Sequence, residues 1–261
     1  MVMRIVTATR LNERDFHAKS ALGRSLSVAY GRHPFELELF PGNRQALARC
    51  YNRSIESGGD ASDILLFVHD DVYLTDFFWP DRIAEGLASF SLVGVAGNVR
   101  RVPKQPSWAF VDDQGTWDAQ ANLSGIVGHG KGFPCELTVL GSVPRPCLLL
   151  DGVLLAARRG TLLEYGIRFD ERFAFHFYDL DLCRQFERKG LPMGTIPLSI
   201  VHESVGAAGS ADCRRSTPRI SGNGADDPIP GPSGATLFVA TSMTGAHNAS
   251  CACNGSHSSV M

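Results

Sequence analysis

The sequence has no apolar run long enough to cross a membrane, and its first residues lack the extended apolar core of a secretion signal. It also lacks an excess of one charge, since 25 basic residues stand against 27 acidic ones. Such a balance gives no electrostatic surface for nucleic acid. These absences predict a soluble cytoplasmic protein with no integral membrane segment and no nucleic-acid partner.

Paired cysteines are missing as well. The 7 cysteines are scattered along the chain without the spacing of a metal site. Cys251 and Cys253 lie close together, but no second pair accompanies them, so they do not form half of a zinc site. An odd and scattered set predicts free thiols in a reducing compartment.

The last part of the chain, residues 206–261, has almost no aromatic residues and no sustained apolar period. It is rich in serine, glycine, alanine, proline and asparagine. Such a composition buries too little apolar surface to offset the entropy lost on ordering. We therefore predict one folded domain over residues 1–205, followed by a disordered low-complexity tail.

Residues 63–74 are the most informative stretch of the chain. Five consecutive apolar residues follow Asp63 and predict a strand buried on both faces of a mostly parallel sheet. His69, Asp70 and Asp71 then follow abruptly, and charged groups beside a buried strand are costly unless they are used. Because ligands of open α/β sheets bind outside the carboxyl ends of the strands, the pattern predicts a divalent metal that holds a phosphate.

The other elements are predicted from the hydrophobic period of the sequence. Strands are predicted at residues 3–8, 35–40, 91–96 and 196–201, and helices at 22–28, at 43–57, from near Pro80 and at 179–189. Asn43 is expected to cap the second helix. Residues 98–134 have little regular period and two tryptophans, which favours a functional insertion. The alternation of strands and helices predicts an α/β fold with helices on both faces.

The strand-end residues fall on two sides of the chain. Because side chains alternate along extended backbone, His69 and Asp71 are expected on one side and Asp70 on the other. Carboxylate oxygens suit Mg²⁺ and Mn²⁺, so Asp71 is the better metal candidate. Asp70 is then placed to contact the ribose or the sugar. The alternative is a strand-end turn with solvated acids.

A second acidic group opens the last predicted helix, at Tyr178, Asp179 and Asp181. Acids in a first helical turn are favoured by the helix macrodipole, and this alone could explain them. The aromatic run before them suggests a poorly solvated pocket instead. In such a pocket one carboxylate with a raised pKa could act as a general base.

Two further sites in the sequence, His202 and the Asp151-Gly152 pair, have both a structural and a functional interpretation. His202, directly after the last predicted strand, is either a core histidine or a ligand. Asp151 and Gly152 interrupt an apolar run and form either a turn or a substrate loop. Asn43 and Asn52 lie nine residues apart in the sequence, so they do not share a helix face.

Four blocks, taken in order, resemble the GT-A glycosyltransferases of family 2. The resemblance is closer still to a bacterial subgroup named after a streptomycin-biosynthesis glycosyltransferase-like protein. The blocks are NRQALARCYNRSIE, FVHDDVYL, LLLDGVLLAARR and RFDERFAFHFYDLDLCRQFERKGL, the last followed by IVHES. The resemblance covers roughly residues 3–205 and implies a GT-A, Rossmann-like domain.

The resemblance also implies a function and roles for residues. It implies a metal-dependent inverting glycosyltransferase that uses Mn²⁺ or Mg²⁺ and moves a sugar from a nucleoside-diphosphate donor to an acceptor hydroxyl on a glycan or small molecule. Asp71 would bind the metal, with His69 in the position of the usual first acid and His202 completing the site. Asp179 would be the general base, with Tyr178 in the position of the usual glutamate.

The remaining assignments complete this hypothesis. Asp181 is the second catalytic candidate; Asp70, Asn43 and Asn52 are assigned to the donor; Asp151, Gly152 and Trp108 are assigned to the acceptor side. The departures at His69 and Tyr178 favour an alternative, a catalytically inactive module that binds a nucleotide-sugar or glycan. A nucleotidyltransferase ranks last, because the N-terminal segment TATRLNERD has no glycine-rich loop.

Overall fold

The computed structural model describes residues 2–28, 34–60 and 63–203. Its strands are β1 (Met3–Ala8), β2 (Phe35–Phe40), β3 (Ile64–Val68), β4 (Val72–Leu74), β5 (Leu92–Gly94), β6 (Ala96–Asn98), β7 (Leu123–His129), β8 (Glu136–Gly141), β9 (Arg145–Pro146), β10 (Leu149–Leu150), β11 (Leu154–Arg158), β12 (Met193–Thr195) and β13 (Ile200–His202). Its helices are α1 (Glu13–Lys19), α2 (Ala21–Val28), α3 (Leu47–Glu56), α4 (Trp79–Ser89), α5 (Arg159–Glu164) and α6 (Tyr178–Arg188), with a 3₁₀ turn at Gln120–Asn122. The predicted tail, 206–261, lies outside the described residues.

The central sheet has seven strands in the order β2-β1-β3-β11-β5-β12-β9. The pairings of β1 with β2 and β3, and of β5 with β12, are parallel. Strands β11 and β9 pair antiparallel with their neighbours, so the other five strands share one direction. The predicted mostly parallel sheet is therefore confirmed.

Both faces of this sheet are covered, and β3 shows why its sequence is apolar without interruption. All of its residues are buried. Ile64, Leu66 and Val68 pack into one core with α1, α2 and α4, whereas Leu65 and Phe67 pack into a second core with α3, α5 and α6. Side chains alternate across a strand, so a strand with helices on both faces needs apolar residues at every position. The predicted α/β class is confirmed.

A second sheet, in the order β10-β6-β7-β13-β4 with β8 beside β7, was not predicted. The predicted strand 91–96 is wrong as one element, because β5 lies in the first sheet and β6 in the second. The predicted strand 196–201 is corrected to β13, which belongs to the second sheet. Within 98–134, β7 pairs with both β6 and β8. The β8 pairing shifts register between Gly125, whose φ is 130°, and Ile126. Glycines interrupt the apolar alternation of β7, which hides it in the sequence.

The start of α3 also differs from the prediction. The helix begins at Leu47, and its N-cap, Ala46, makes no side-chain cap bond. Asn43 lies upstream, where its Oδ1 accepts from Gln45 N at 3.0 Å and closes a local turn. The predicted cap is therefore wrong, whereas the predicted start of α4 at Pro80, in its first turn, is confirmed.

The predictions about membrane spans and about free cysteines can be compared with the described residues. Within them no helix combines the length and the apolar character that a membrane crossing requires. The cysteines of this part of the chain are all free thiols: Cys50, Cys135, Cys147 and Cys183. The prediction of free thiols is confirmed for these four.

Candidate functional site

Three predicted ligands meet where β3 and β13 end. One ligand atom from each of His69, Asp71 and His202 lies within 4.8 Å of the others. His202 Nε2 is 3.2 Å from Asp71 Oδ2. The backbone holds the two segments together, because Glu203 N donates to Asp71 O at 2.8 Å. We call His69, Asp71 and His202 the His-Asp-His cluster.

The pKa values of the two histidines of the cluster are shifted in opposite directions. Burial lowers the pKa of His69 and outweighs the opposing charge of Asp71. Burial also acts to lower the pKa of His202, but the hydrogen bond and charge of Asp71 reverse this, so the net pKa is raised. A neutral imidazole and a carboxylate are both metal ligands, and two imidazoles with one carboxylate suit a divalent transition metal. The donor set of the cluster therefore fits such an ion.

Asp70 stands between two residues of the cluster in the sequence, and its side chain hydrogen-bonds with Thr9. Burial raises its pKa, and a hydrogen bond with Thr9 acts in the opposite direction. Its backbone carbonyl accepts from Leu22 N at 3.1 Å, which fixes the turn after β3 against α2. The side chain is thus only partly solvated at the carboxyl end of the sheet.

A second carboxylate, Asp179, lies in the first turn of α6. Its Oδ2 accepts from Gly152 N at 3.2 Å and its Oδ1 from Leu180 N at 2.9 Å. Burial, followed by the negative charge of Asp151, raises the pKa of Asp179 to about 7. A carboxylate that is poorly solvated at the head of a helix can take up a proton near neutral pH.

Tyr178 joins this carboxylate to the His-Asp-His cluster. Its hydroxyl lies 2.8 Å from His69 Nε2 and donates to Gly152 O at 3.0 Å. The preceding residue, Phe177, has a φ of 69°, which is unusual for a residue other than glycine and turns the chain into α6. No role of its own could be assigned to Tyr178 from the sequence, since its partners are distant in the chain. Only the unusual position of an aromatic residue in the acidic turn pointed to it.

The other predicted catalytic acid, Asp181, has a different environment. Its Oδ2 accepts from Gln185 Nε2 at 2.7 Å, one helical turn further along α6. Among the described residues no contact joins it to the His-Asp-His cluster or to Gly152. The structure therefore separates the two acids that the sequence could not distinguish.

Of the residues assigned to the acceptor side, Asp151 and Gly152 interact with the start of α6, whereas Trp108 lies elsewhere. Asp151 is close enough to raise the pKa of Asp179 by its charge, and its Oδ1 accepts from Val153 N at 3.0 Å. Gly152 contacts α6 directly through both of its backbone polar groups. Trp108 is half-buried between the two cores, with its ring perpendicular to Trp117. The interactions found for Trp108 in the described residues do not include the cluster.

Phe175, to which the sequence analysis assigned no role, lies against His69 of the cluster. Phe175 stacks on His69 with ring centroids 5.8 Å apart, and 48% of it is exposed. The sequence showed it only as part of an aromatic run. An exposed ring beside the cluster can pack against a base or a sugar.

The side-chain amide of Asn52 is bonded to the segment before α6. Its Nδ2 donates to Phe169 O at 2.8 Å and its Oδ1 accepts from Phe169 N at 2.9 Å. This pair of bonds satisfies both backbone polar groups of a residue that is 1% exposed. Its amide therefore holds the segment before α6 in place, and the structure gives no support to a donor contact.

Replacing Asn52 with alanine is expected to lower the free energy of unfolding by about 2 to 4 kcal/mol, because two buried backbone groups lose their partners. The matched variant Asn43→Ala, in a solvent-exposed turn, should cost less than about 1 kcal/mol. Urea unfolding measures both. If Asn52→Ala kept its stability and lost nucleotide affinity, the donor assignment from the sequence would be the correct one.

No protein family matches the chain, and neither does any curated protein. Solved structures do match over 78% of it: A197 from STIV, at 10% identity, 86% coverage of that chain and a TM-score of 0.43; S. aureus TarS 1-349, at 11%, 60% and 0.47; and GalNAc-T7 with UDP, GalNAc and Mn²⁺, at 10%, 43% and 0.44. The chain thus spans less than two thirds of the last two. At such identities and TM-scores these likenesses carry no argument about chemistry.

Proposed function

We propose that this protein is a GT-A glycosyltransferase that moves a sugar from a nucleoside-diphosphate donor to an acceptor hydroxyl with inversion. One observation carries the proposal. The His-Asp-His cluster and a half-buried carboxylate, Asp179, with a pKa of about 7, converge on one edge of the sheet through Tyr178 and Gly152. A metal-ligand set beside a candidate base is what transfer from a diphosphate needs. The resemblance in the sequence supports the same reading.

The His-Asp-His cluster would hold the divalent cation. A cation bound there would neutralise the diphosphate leaving group. Mg²⁺ prefers oxygen ligands, whereas Mn²⁺ accepts imidazole more readily, so two histidines favour Mn²⁺. We expect Mn²⁺ to support nucleotide binding at lower concentrations than Mg²⁺.

The chain's own residues supply the rest of the mechanism. Asp179 would take the proton from the acceptor hydroxyl as that oxygen attacks the sugar carbon opposite the diphosphate. Gly152 N–H keeps the carboxylate oriented, since it donates to Asp179 Oδ2 at 3.2 Å. Asp70 would contact the ribose or sugar of the donor, and Asp151 would contact the acceptor. Attack from the face opposite the leaving group inverts the sugar carbon.

Calorimetric titration of the wild type with UDP, GDP and dTDP, each with and without Mn²⁺, tests the proposal. We expect one nucleotide to bind only when Mn²⁺ is present. The donor would then be a sugar carried by that nucleotide. Failure of all three to bind a protein shown to be folded by circular dichroism would contradict the proposal.

A catalytically inactive module that binds a nucleotide-sugar or glycan is the second candidate. One observation favours it: Tyr178 stands in the turn where the resembled family has a glutamate, and its hydroxyl is already engaged with His69 and Gly152. Binding of a nucleotide-sugar without hydrolysis or transfer to any acceptor would select this alternative.

A further inference from the structure

The hydroxyl of Tyr178 lies between two parts of the candidate site. It is 2.8 Å from His69 Nε2 and 3.0 Å from Gly152 O. The side chain is 3% exposed, and its ring packs against Tyr51 and Phe169 with centroids 6.2 Å and 6.0 Å away. The ring is therefore fixed by packing, and the hydroxyl has little freedom to choose other partners.

The positions of the protons follow from these two contacts. A carbonyl oxygen can only accept, so the single proton of the Tyr178 hydroxyl is used by Gly152 O. The hydroxyl oxygen must then accept from His69, which requires a proton on Nε2. An imidazole that binds a metal is neutral and carries one proton. In His69 that proton is on Nε2, so Nδ1 is the nitrogen with a free lone pair.

Gly152 is required for this arrangement because of its size. A Cβ atom at this position would lie 2.3 Å from the Tyr178 hydroxyl and 2.7 Å from its Cζ. Its N–H also donates to Asp179 Oδ2 at 3.2 Å. The backbone of this one residue thus contacts both the candidate base and the tyrosine that holds the candidate ligand.

We propose that Tyr178 is a positioning residue that holds His69 in the tautomer with the proton on Nε2, so that Nδ1 is presented to a divalent cation. The hydroxyl does so while it anchors Gly152, and we call the three residues the Gly-Tyr-His clip. The inference rests on the proposed function for the use of the metal. It assigns to Tyr178 a role that a glutamate, with a different geometry and charge, would not fill in the same way.

The first experiment determines the tautomer in the wild type and needs no variant of Tyr178 or Gly152. In metal-free full-length protein labelled with ¹⁵N-histidine, the two ring nitrogens of each tautomer have distinct chemical shifts. The chain has 8 histidines, so the signals of His69 are identified by their loss in His69→Gln. We expect a protonated Nε2 and a bare Nδ1 at neutral pH. A protonated Nδ1 would overturn the inference even if Tyr178→Phe and Gly152→Ala failed to fold.

The second experiment measures Mn²⁺ binding by electron paramagnetic resonance without nucleotide. Removal of the group that orients a metal-bound histidine weakens binding roughly 10- to 100-fold, and we expect this loss in Tyr178→Phe. Gly152→Ala should weaken binding as well, because the added methyl group displaces the hydroxyl. In Tyr178→Phe, the His69 signals should also show a mixture of tautomers.

Tyr51→Phe is the matched control. Tyr51 is fully buried against the same rings, and its hydroxyl has no hydrogen-bond partner among the described residues. Loss of this hydroxyl should leave the Mn²⁺ affinity and the His69 tautomer unchanged. Equal losses in the two phenylalanine variants would mean that removal of any hydroxyl from this aromatic cluster weakens the site, and would overturn the inference.

The outcomes separate the clip from the proposed function. If the wild type binds Mn²⁺ and Tyr178→Phe binds it as well as the wild type does, the inference fails whatever the activity is. If Tyr178→Phe loses affinity but the wild type transfers no sugar, the clip stands and the glycosyltransferase proposal fails. A wild type that binds no Mn²⁺ overturns the clip's role toward a metal.

Discussion

Asp179→Asn is expected to lower sugar transfer by about 10²- to 10⁴-fold, which is the usual contribution of a general base. The amide cannot take a proton from the acceptor hydroxyl. In the wild type, the rate should rise as pH increases through about 7 and then level off, because Asp179 must be ionised to act and its pKa is raised to about 7 by burial. Initial rates of transfer between pH 5 and 9 measure both effects. Retention of the wild-type rate by Asp179→Asn would contradict the assignment.

The same substitution should stabilise the fold at high pH. The folded pKa of Asp179, about 7, lies above the ordinary value of about 4. The folded state therefore favours the protonated carboxyl, and stability falls as pH rises from about 4 to 7, by up to about 1.4 kcal/mol per pH unit. Asn carries no such penalty, so the variant should melt above the wild type at pH 8 and close to it at pH 4. Thermal unfolding at the two pH values tests this sign.

Asp181→Asn is the matched comparison, since it removes an acid from the same helical turn. Asp181 accepts from Gln185 and has no contact with Gly152 among the described residues. We expect it to retain most of the transfer activity. A larger loss in Asp181→Asn than in Asp179→Asn would exchange the roles of the two acids.

Asp71→Asn is expected to have the largest effect on binding. Asp71 supplies the only carboxylate of the His-Asp-His cluster, and its Oδ2 lies 3.2 Å from His202 Nε2. Without the negative charge the cluster has only neutral donors, so Mn²⁺ affinity should fall at least about 100-fold. Nucleotide binding that depends on Mn²⁺ should fall with it. Calorimetry with Mn²⁺ alone, then with the nucleotide that the wild type binds, measures the two losses.

An exposed acid provides the control for Asp71. Asp113→Asn makes the same change in net charge on an exposed part of the described surface. It should leave Mn²⁺ and nucleotide affinity unchanged. If Asp71→Asn bound Mn²⁺ and nucleotide like Asp113→Asn, the cluster would not be the metal site.

The sequence determined the features that depend on neighbouring residues. The unbroken apolar run of β3 indicated a strand covered on both faces, and the structure has helices on each side. The two-residue period of extended backbone placed His69 and Asp71 on one side, and the structure brings both to His202. A proline marked the first turn of α4. In each case the physical cause acts within a few residues, so it leaves a local pattern.

The prediction from the sequence was wrong where one buried apolar stretch contains two strands that pair with different neighbours. β5 and β6 appear as one apolar stretch because both are buried, yet they belong to different sheets. Which neighbour a strand pairs with depends on the whole fold and not on its own composition. The same holds for β7, where glycines conceal the period.

Only the tertiary structure decided which polar residues work together. Tyr178 meets His69 across 109 positions of sequence, and Asn52 meets Phe169 across 117. The two acids of α6 look alike in the sequence, but only Asp179 reaches Gly152. Residue type and spacing determined which groups could act as ligands or bases. Burial and hydrogen-bond partners decided which of them are placed to do so, because both depend on chain segments that no local pattern connects.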